Sequence, residues 1–255
     1  MSVAKQVLPR ERRPVLDHGF VRLVDHMGND LSIVRAARVS HNADWRAGTD
    51  EGSDERLIRY LMKHRHSTPF EAVQFQFEIK CPIFIARQWH RHRTWTYNEI
   101  SARYSELDEG YYCPSGDVIG LQSKENKQVR ELGLINDDAA ADIAMACRRA
   151  WDSYRDLLGS GVPRELARSV LPMATYTRFF GSVNLHNLLH FLELRLHQHA
   201  QWEIQQYALA LFELARTVAP AALRAFELRL SGELWSHSPT ARNGHEKNRR
   251  NPPAV

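Results

Sequence analysis

The sequence predicts an α+β fold, a single domain in which one antiparallel sheet packs against long helices. Three observations carry this expectation. Val73, Phe75, Phe77, Ile79 and Cys81 alternate with Gln74, Gln76, Glu78 and Lys80, the period of a strand buried on one face. The other patterned stretches are mostly helical, the longest running from Asn184 through His199 and Gln205 towards Ala215. There is no regular strand–helix–strand alternation and no GxGxxG fingerprint, so a doubly wound sheet is disfavoured.

Taken in order, residues 1–15 read as a loose arm and Phe20 to Asp25 as a short strand. Met27-Gly28-Asn29-Asp30 reads as a turn in which Asp30 caps a helix through about Val39. Asp54 opens a second helix whose Leu57, Ile58, Leu61 and Met62 share a face. Thr68-Pro69-Phe70-Glu71 carries a helix-start signal: a threonine cap, proline at the first position and a glutamate to close a capping box. After the alternating strand, Pro82 starts an apolar helix from Ile83 to His90. The stretch from Leu107 to Asn136 has no firm pattern.

Asp137 or Asp138 caps a helix to Leu158, stopped by Gly159 and Gly161. Pro163 starts another, which ends before Pro172. Thr175 to Val183 is rich in β-branched and aromatic residues and reads as a strand. Asn184 caps the longest helix, and Ala221 to Leu230 forms a final amphipathic one. With no internal linker, the domain spans 16–232, and 233–255 forms a polar, basic tail expected to be disordered.

Composition narrows the class. Hydrophobic residues make up 43% and charged residues 25% of the 255, the balance of a folded globular protein. No apolar run reaches the roughly 18 residues that span a bilayer, and no apolar core follows the basic N-terminus. A cytoplasmic protein with no membrane partner is expected. The three cysteines, Cys81, Cys113 and Cys147, are odd in number and widely spaced, which fits neither a disulfide framework nor a CxxC zinc site. The formal net charge of +4 suits anionic partners: nucleic acid, nucleotides or phosphorylated cofactors.

The densest chemistry lies in Gln88-Trp89-His90-Arg91-His92-Arg93 and the segment after it, Thr94 to Tyr104. Cations, aromatic faces and hydrogen-bonding groups stand together at the end of an apolar helix. Arginine forks match phosphate oxygens, and Trp and Tyr offer faces to a flat heterocycle. The same residues would also fit a solvated cationic face or a single-stranded nucleic-acid surface. A third reading is a metalloenzyme, because His186, His190, Glu193 and His197 fall on one face of a continuous helix. The HExxH order is missing, and no metal is expected.

Arg91-His92-Arg93, seven residues and then Ser101 resemble the signature of the flavin-dependent thymidylate synthases. Gln88-Trp89, Tyr97-Asn98-Glu99 and Ser101-Ala102-Arg103-Tyr104 extend the likeness. So do Val34 to Ser40, His64 to Glu71, Gly161 to Arg168, Tyr176 to Phe180, and Arg195 with His199 to Tyr207, all in family order. The resemblance covers roughly residues 16–230 and leaves out both tails.

That resemblance implies reductive methylation of dUMP to dTMP by a homotetramer, with 5,10-methylenetetrahydrofolate as carbon donor. It implies FAD, recharged by NADPH, as hydride source, and no cysteine nucleophile. By position, Arg195 looks like the residue that activates the pyrimidine; the alternative is a surface arginine balancing Glu193 or Glu203. Gln88, Arg91, Glu99, Ser101, Ala102, Arg103, Arg168 and Arg195 resemble the dUMP contacts. His66, Thr68, Arg91, His92, Arg93, Glu99, Asn184, His186, His190 and His199 resemble the FAD contacts. The chain departs from some relatives at His186 and His190, where an arginine and an asparagine can stand. The fold implied is that of the family, with active sites between subunits and no nucleic-acid partner.

Overall fold

The computed structural model describes residues 12–124, 130–132 and 135–232; the expectations for 1–11 and 233–255 lie outside them. Arg13–Val15 (β1) pairs antiparallel with Gly19–Met27 (β2), so the end of the expected arm joins the sheet. Asp30–Arg38 (α1) follows, then Glu51–Lys63 (α2). Gln74–Pro82 (β3) is the alternating strand, and it continues directly into Ile83–Trp89 (α3). Phe75, Phe77, Ile79 and Cys81 bury their side chains against the helices. On the other face Glu78, though 2% exposed, is held by Arg22 at 2.6 Å and Arg178 at 3.5 Å from the flanking strands. Alternation therefore continues across three strands.

Thr96–Glu99 (β4) is an edge strand that the sequence did not reveal. Gly116–Ile119 (α4), Leu121–Gln122 (β5) and Arg130–Glu131 (β6) occupy the unpatterned stretch. Asp137–Gly159 (α5) and Arg164–Ala167 (α6) build a small second core around Trp151, Tyr154 and Ala167. Tyr176–Asn184 (β7) completes a sheet of order β1-β2-β3-β7-β4, antiparallel throughout. Gly181 lies at its crossing with the core: an added Cβ would meet the Trp95 ring at 3.1 Å.

Three helix caps fall one or more residues before the expected aspartates. Asn29 caps α1 in a box with Ser32, Asp50 caps α2 and Asn136 caps α5. The displaced aspartates serve tertiary structure instead. Asp30 accepts the N–H groups of Ala221 and Ala222 at 2.8 and 3.0 Å, and Asp54 pairs with Arg38 at 2.7 Å. Thr68–Ala72 forms only a short 3-10 turn without a side-chain cap, because the alternating strand begins at once and Phe70 is already drawn into the core.

The largest correction concerns the longest helix. Asn184 caps it as expected, accepting from the Asn187 N–H at 2.8 Å. It then divides into Leu185–Arg195 (α7) and Trp202–Arg216 (α8), followed by Pro220–Leu230 (α9). Neither proline nor glycine breaks it. Between Leu192 and Glu203 no side chain is fully buried, and only Leu196 and Ala200 rest partly buried on the core, so a helical continuation there has little to pack against. The Gln205 amide donates to the carbonyls of Ala200 and His197 at 2.8 and 3.1 Å and holds the turn. No helix of the described residues is long and apolar enough to cross a membrane.

Candidate active site

Apolar anchoring sets the geometry of the arginine–histidine segment. Ile85, Ala86 and Trp89 seat α3 in the core, and the chain then turns so that His92 faces inward while Arg91 and Arg93 stay exposed. The Tyr97 hydroxyl donates to the carbonyls of His92 and Trp89 at 2.8 and 3.1 Å, pinning this turn to β4. The His92 ring packs on Phe191 with centroids 4.7 Å apart.

Arg195, in the last turn of α7, donates from Nε to Nε2 of His92 at 3.0 Å. Burial first, then the charges of Arg195 and His190, push the His92 pKa down to about 4. A neutral ring accepting at Nε2 carries its proton on Nδ1. Burial also lowers the Arg195 pKa from its ordinary value. The two carboxylates close to Arg195 in sequence are engaged elsewhere: Glu193 with Arg229 at 2.9 Å and Glu203 with Arg130 at 2.8 Å. The guanidinium is thus half-buried against a neutral acceptor, without a carboxylate to quench it.

Beside this pair lies a cleft of about 250 Å³, with Leu61, Phe70 and Leu189 as an apolar wall, His66, His186 and His190 as polar groups, and Arg65 and the Glu193–Arg229 pair as its charges. His190 connects it to the pair, its ring centroid 6.2 Å from that of His92. Thr68 is exposed in the nearby 3-10 turn. The side-chain oxygen of Asn184 is occupied as the α7 cap. His199 sits in the turn between α7 and α8, its ring against His197 with centroids 4.8 Å apart.

The remaining expected contacts form separate groups. Glu99 accepts from the Thr177 hydroxyl across the β4–β7 pair. Ser101 and Ala102 are half-buried just beyond β4, and the Ser101 hydroxyl accepts the N–H of Arg103 at 3.3 Å. The Arg103 side chain reaches Glu165 at 3.7 Å, and Arg168 donates to the Glu165 carbonyl at 3.3 Å. Arg164 turns instead to Glu106 at 3.4 Å. Among the described residues, no hydrogen bond or ion pair joins the Arg103–Arg168 group to Arg195. The guanidinium groups of Arg91 and Arg93 meet no carboxylate among the described residues either.

Gln88 shows neighbours that pattern reading did not place in the site. It donates to Gln201, which donates to the buried Glu203 at 2.9 Å. The only sequence signal was the position of Gln201 and Glu203 beside the expected contacts. A larger cavity, about 670 Å³, lies apart, lined by Arg13, Asp17, Tyr112, Trp202 and Glu213 among others and by none of the expected site residues. The turn after Arg195 takes His197 off the helix that a metal reading needs. Among the described residues no three His, Cys, Asp or Glu side chains are grouped to hold a metal ion.

Residues 22–221 match the family model described as thymidylate synthase complementing protein. A flavin-dependent thymidylate synthase of Thermus thermophilus is 51% identical over 217 residues, covering 85% of this chain and 78% of the relative. One from Thermotoga neapolitana is 48% identical, covering 84% and 93%. Among solved structures, the UMP/dUMP methylase PolB of Streptomyces cacaoi bound with 5-Br dUMP superimposes with a TM-score of 0.76. It is 37% identical and covers 84% of this chain and 97% of that one.

Proposed function

This chain belongs to the flavin-dependent thymidylate synthase family, and from that premise we propose in detail the reaction it performs. It is a methyltransferase that converts dUMP to dTMP, with 5,10-methylenetetrahydrofolate as carbon donor and NADPH as reductant. It acts in the cytoplasm as a homotetramer with active sites between subunits. The observation that carries the reading is the carboxylate-free Arg195 at the His92 ring.

The residues present fit a flavin. The apolar wall and imidazoles of the cleft suit the flat edge of an isoalloxazine, and the exposed, unpaired Arg91 and Arg93 suit its pyrophosphate. His66, His186 and His190 would hold the ring system, with Thr68, His92, Glu99, Asn184 and His199 around it. When bound, FAD supplies the hydride that turns the transferred methylene into a methyl group.

The chain's own residues do the rest. No thiolate is needed at uracil C6, because Arg195 stabilises the negative charge that develops on the pyrimidine as C5 attacks the methylene. His92, neutral and fixed by Arg195, holds that guanidinium in place without cancelling its charge. Gln88, Glu99, Ser101 and the backbone at Ala102 orient the nucleoside, while Arg103 and Arg168 take the phosphate. Within one chain the Arg103–Arg168 pair is joined through Glu165 and Arg195 is bonded to His92, and neighbouring copies bring the two groups around one nucleotide.

An absorption spectrum of the purified protein, then anaerobic NADPH and assays on dUMP and UMP, tests this. A flavin band bleached by NADPH and formation of dTMP are expected. A protein without a flavin band after reconstitution with FAD, and without dTMP formation, overturns the proposal.

A further inference from the structure

Behind Gln88 stands a buried carboxylate with no part in the chemistry above. Glu203, in the first turn of α8, is 1% exposed. Its Oε1 accepts from Arg130 Nη2 at 2.8 Å and from the Tyr112 hydroxyl at 3.2 Å. Its Oε2 accepts from Nε2 of Gln201 at 2.9 Å. Oε1 of Gln201 in turn accepts from Nε2 of Gln88. A line of polar groups therefore runs from a buried charge to a residue of the active site.

The direction of that line is dictated by chemistry. An ionised carboxylate only accepts hydrogen bonds, whereas a glutamine amide has a donating end and an accepting end of nearly the same shape. Facing Glu203, Gln201 must present its NH2 group, which leaves its oxygen towards Gln88. Gln88 must then offer its own NH2 group to Gln201. An isolated amide can turn over and exchange donor for acceptor, but here the turn would set two oxygens against each other. Arg130 and the Tyr112 hydroxyl both donate to Glu203 and hold it in place as an acceptor.

We propose that Glu203, acting through Gln201, is a positioning relay that fixes the amide orientation of Gln88. It thereby sets which hydrogen-bonding atoms Gln88 presents to the nucleotide. The carbonyl oxygen and the second N–H of Gln88 are held at defined places, so the site is built for one donor–acceptor pattern before substrate arrives. Glu203 and Gln201 touch no reacting atom. The inference rests on the reading of Gln88 as a dUMP contact.

A double-mutant cycle on the FAD-reconstituted full chain tests it, read as the equilibrium Kd for dUMP alongside kcat and flavin content. Gln201→Met keeps the shape and removes the relay, and it is expected to weaken dUMP binding about tenfold while leaving flavin content unchanged. Gln88→Met is expected to do the same. The double variant should bind no more weakly than Gln88→Met alone, because both changes interrupt one line. Glu203→Gln, which frees Gln201 to turn over, gives a second variant if Gln201→Met fails to fold, with the same loss of dUMP affinity expected. Wild-type affinity in either folded variant, or penalties that simply add in the cycle, overturns the relay. A wild-type protein that binds no dUMP instead removes the reading of the active site, and the relay with it.

Discussion

Arg195 donates from Nε to the Nε2 of His92 at 3.0 Å, a cation resting on a neutral ring rather than on a carboxylate. A carboxylate there would hold the guanidinium, but it would also offset the field that stabilises charge on the pyrimidine. Arg195→Met should lower kcat about 10²–10³-fold, the cost of one preorganised donor at a developing negative charge. Flavin absorbance should stay unchanged. Arg195→Lys should recover only part of the loss, since an ammonium lacks the planar fork. Near-normal turnover of Arg195→Met would remove the residue from the role.

The same contact has a pH signature. His92 should titrate with a midpoint of about 4 rather than 6.5, chiefly through burial and then through the Arg195 and His190 charges. Because the folded pKa is depressed, the unfolded chain takes up this proton first as the pH falls. The contribution to stability is therefore complete above pH 6.5 and is lost between 6.5 and about 4. NMR titration of the imidazole in wild type and in Arg195→Met checks this. The midpoint should rise in the variant but stay below 6.5, since burial, the larger cause, remains. A wild-type midpoint near 6.5 would contradict the geometry.

The cysteines lead to the opposite expectation. Burial raises the pKa of Cys81, Cys113 and Cys147, with the carboxylates of Glu99 and Asp17 adding to it at Cys81 and Cys113 and the Cys113 thiol adding to it at Cys147. A nucleophilic thiol needs the reverse shift. The triple Cys→Ala variant should keep kcat within about threefold of wild type, since no covalent step depends on a thiol. Cys81→Ala should cost about 1 kcal/mol in unfolding experiments, because its side chain is fully buried among the sheet residues. A hundredfold fall in kcat in any single variant would restore a thiol mechanism.

What could be read beforehand follows from where the information lies. β3 was legible because its two faces meet different environments, so apolar and polar residues alternate along it. β4 was not: it is four residues long, lies at the sheet edge and has no fully buried side chain, so no alternation marks it. The break between α7 and α8 was invisible because it goes with sparse burial between Leu192 and Glu203, not with a breaking residue. The Arg-His-Arg motif announced the site, yet its pairing with Arg195 joins residues far apart in sequence. The relay was hidden for a related reason. A glutamate in the first turn of a helix looks the same in sequence whether it meets water or, like Glu203, is buried with an arginine and a tyrosine.

Arg91 and Arg93 mark the part of the site that awaits an anion. They flank the buried His92, stay exposed and meet no carboxylate among the described residues. A surface arginine usually finds an acidic neighbour at little cost, and several others here do so, among them Arg164 with Glu106 and Arg224 with Glu55. A bound pyrophosphate gives both unpaired forks the anion they lack. Arg93→Gln should therefore weaken FAD binding about tenfold, roughly one charge-assisted hydrogen bond. It should also flatten the dependence of FAD affinity on salt, because an exposed cation that meets the anion is screened at high ionic strength. Titration of FAD into the apoprotein from low to high salt measures both effects. Equal salt dependence in wild type and variant would place the pyrophosphate away from Arg93, and Arg65, which lines the cleft at His66 and His190, would then be the next cation to test.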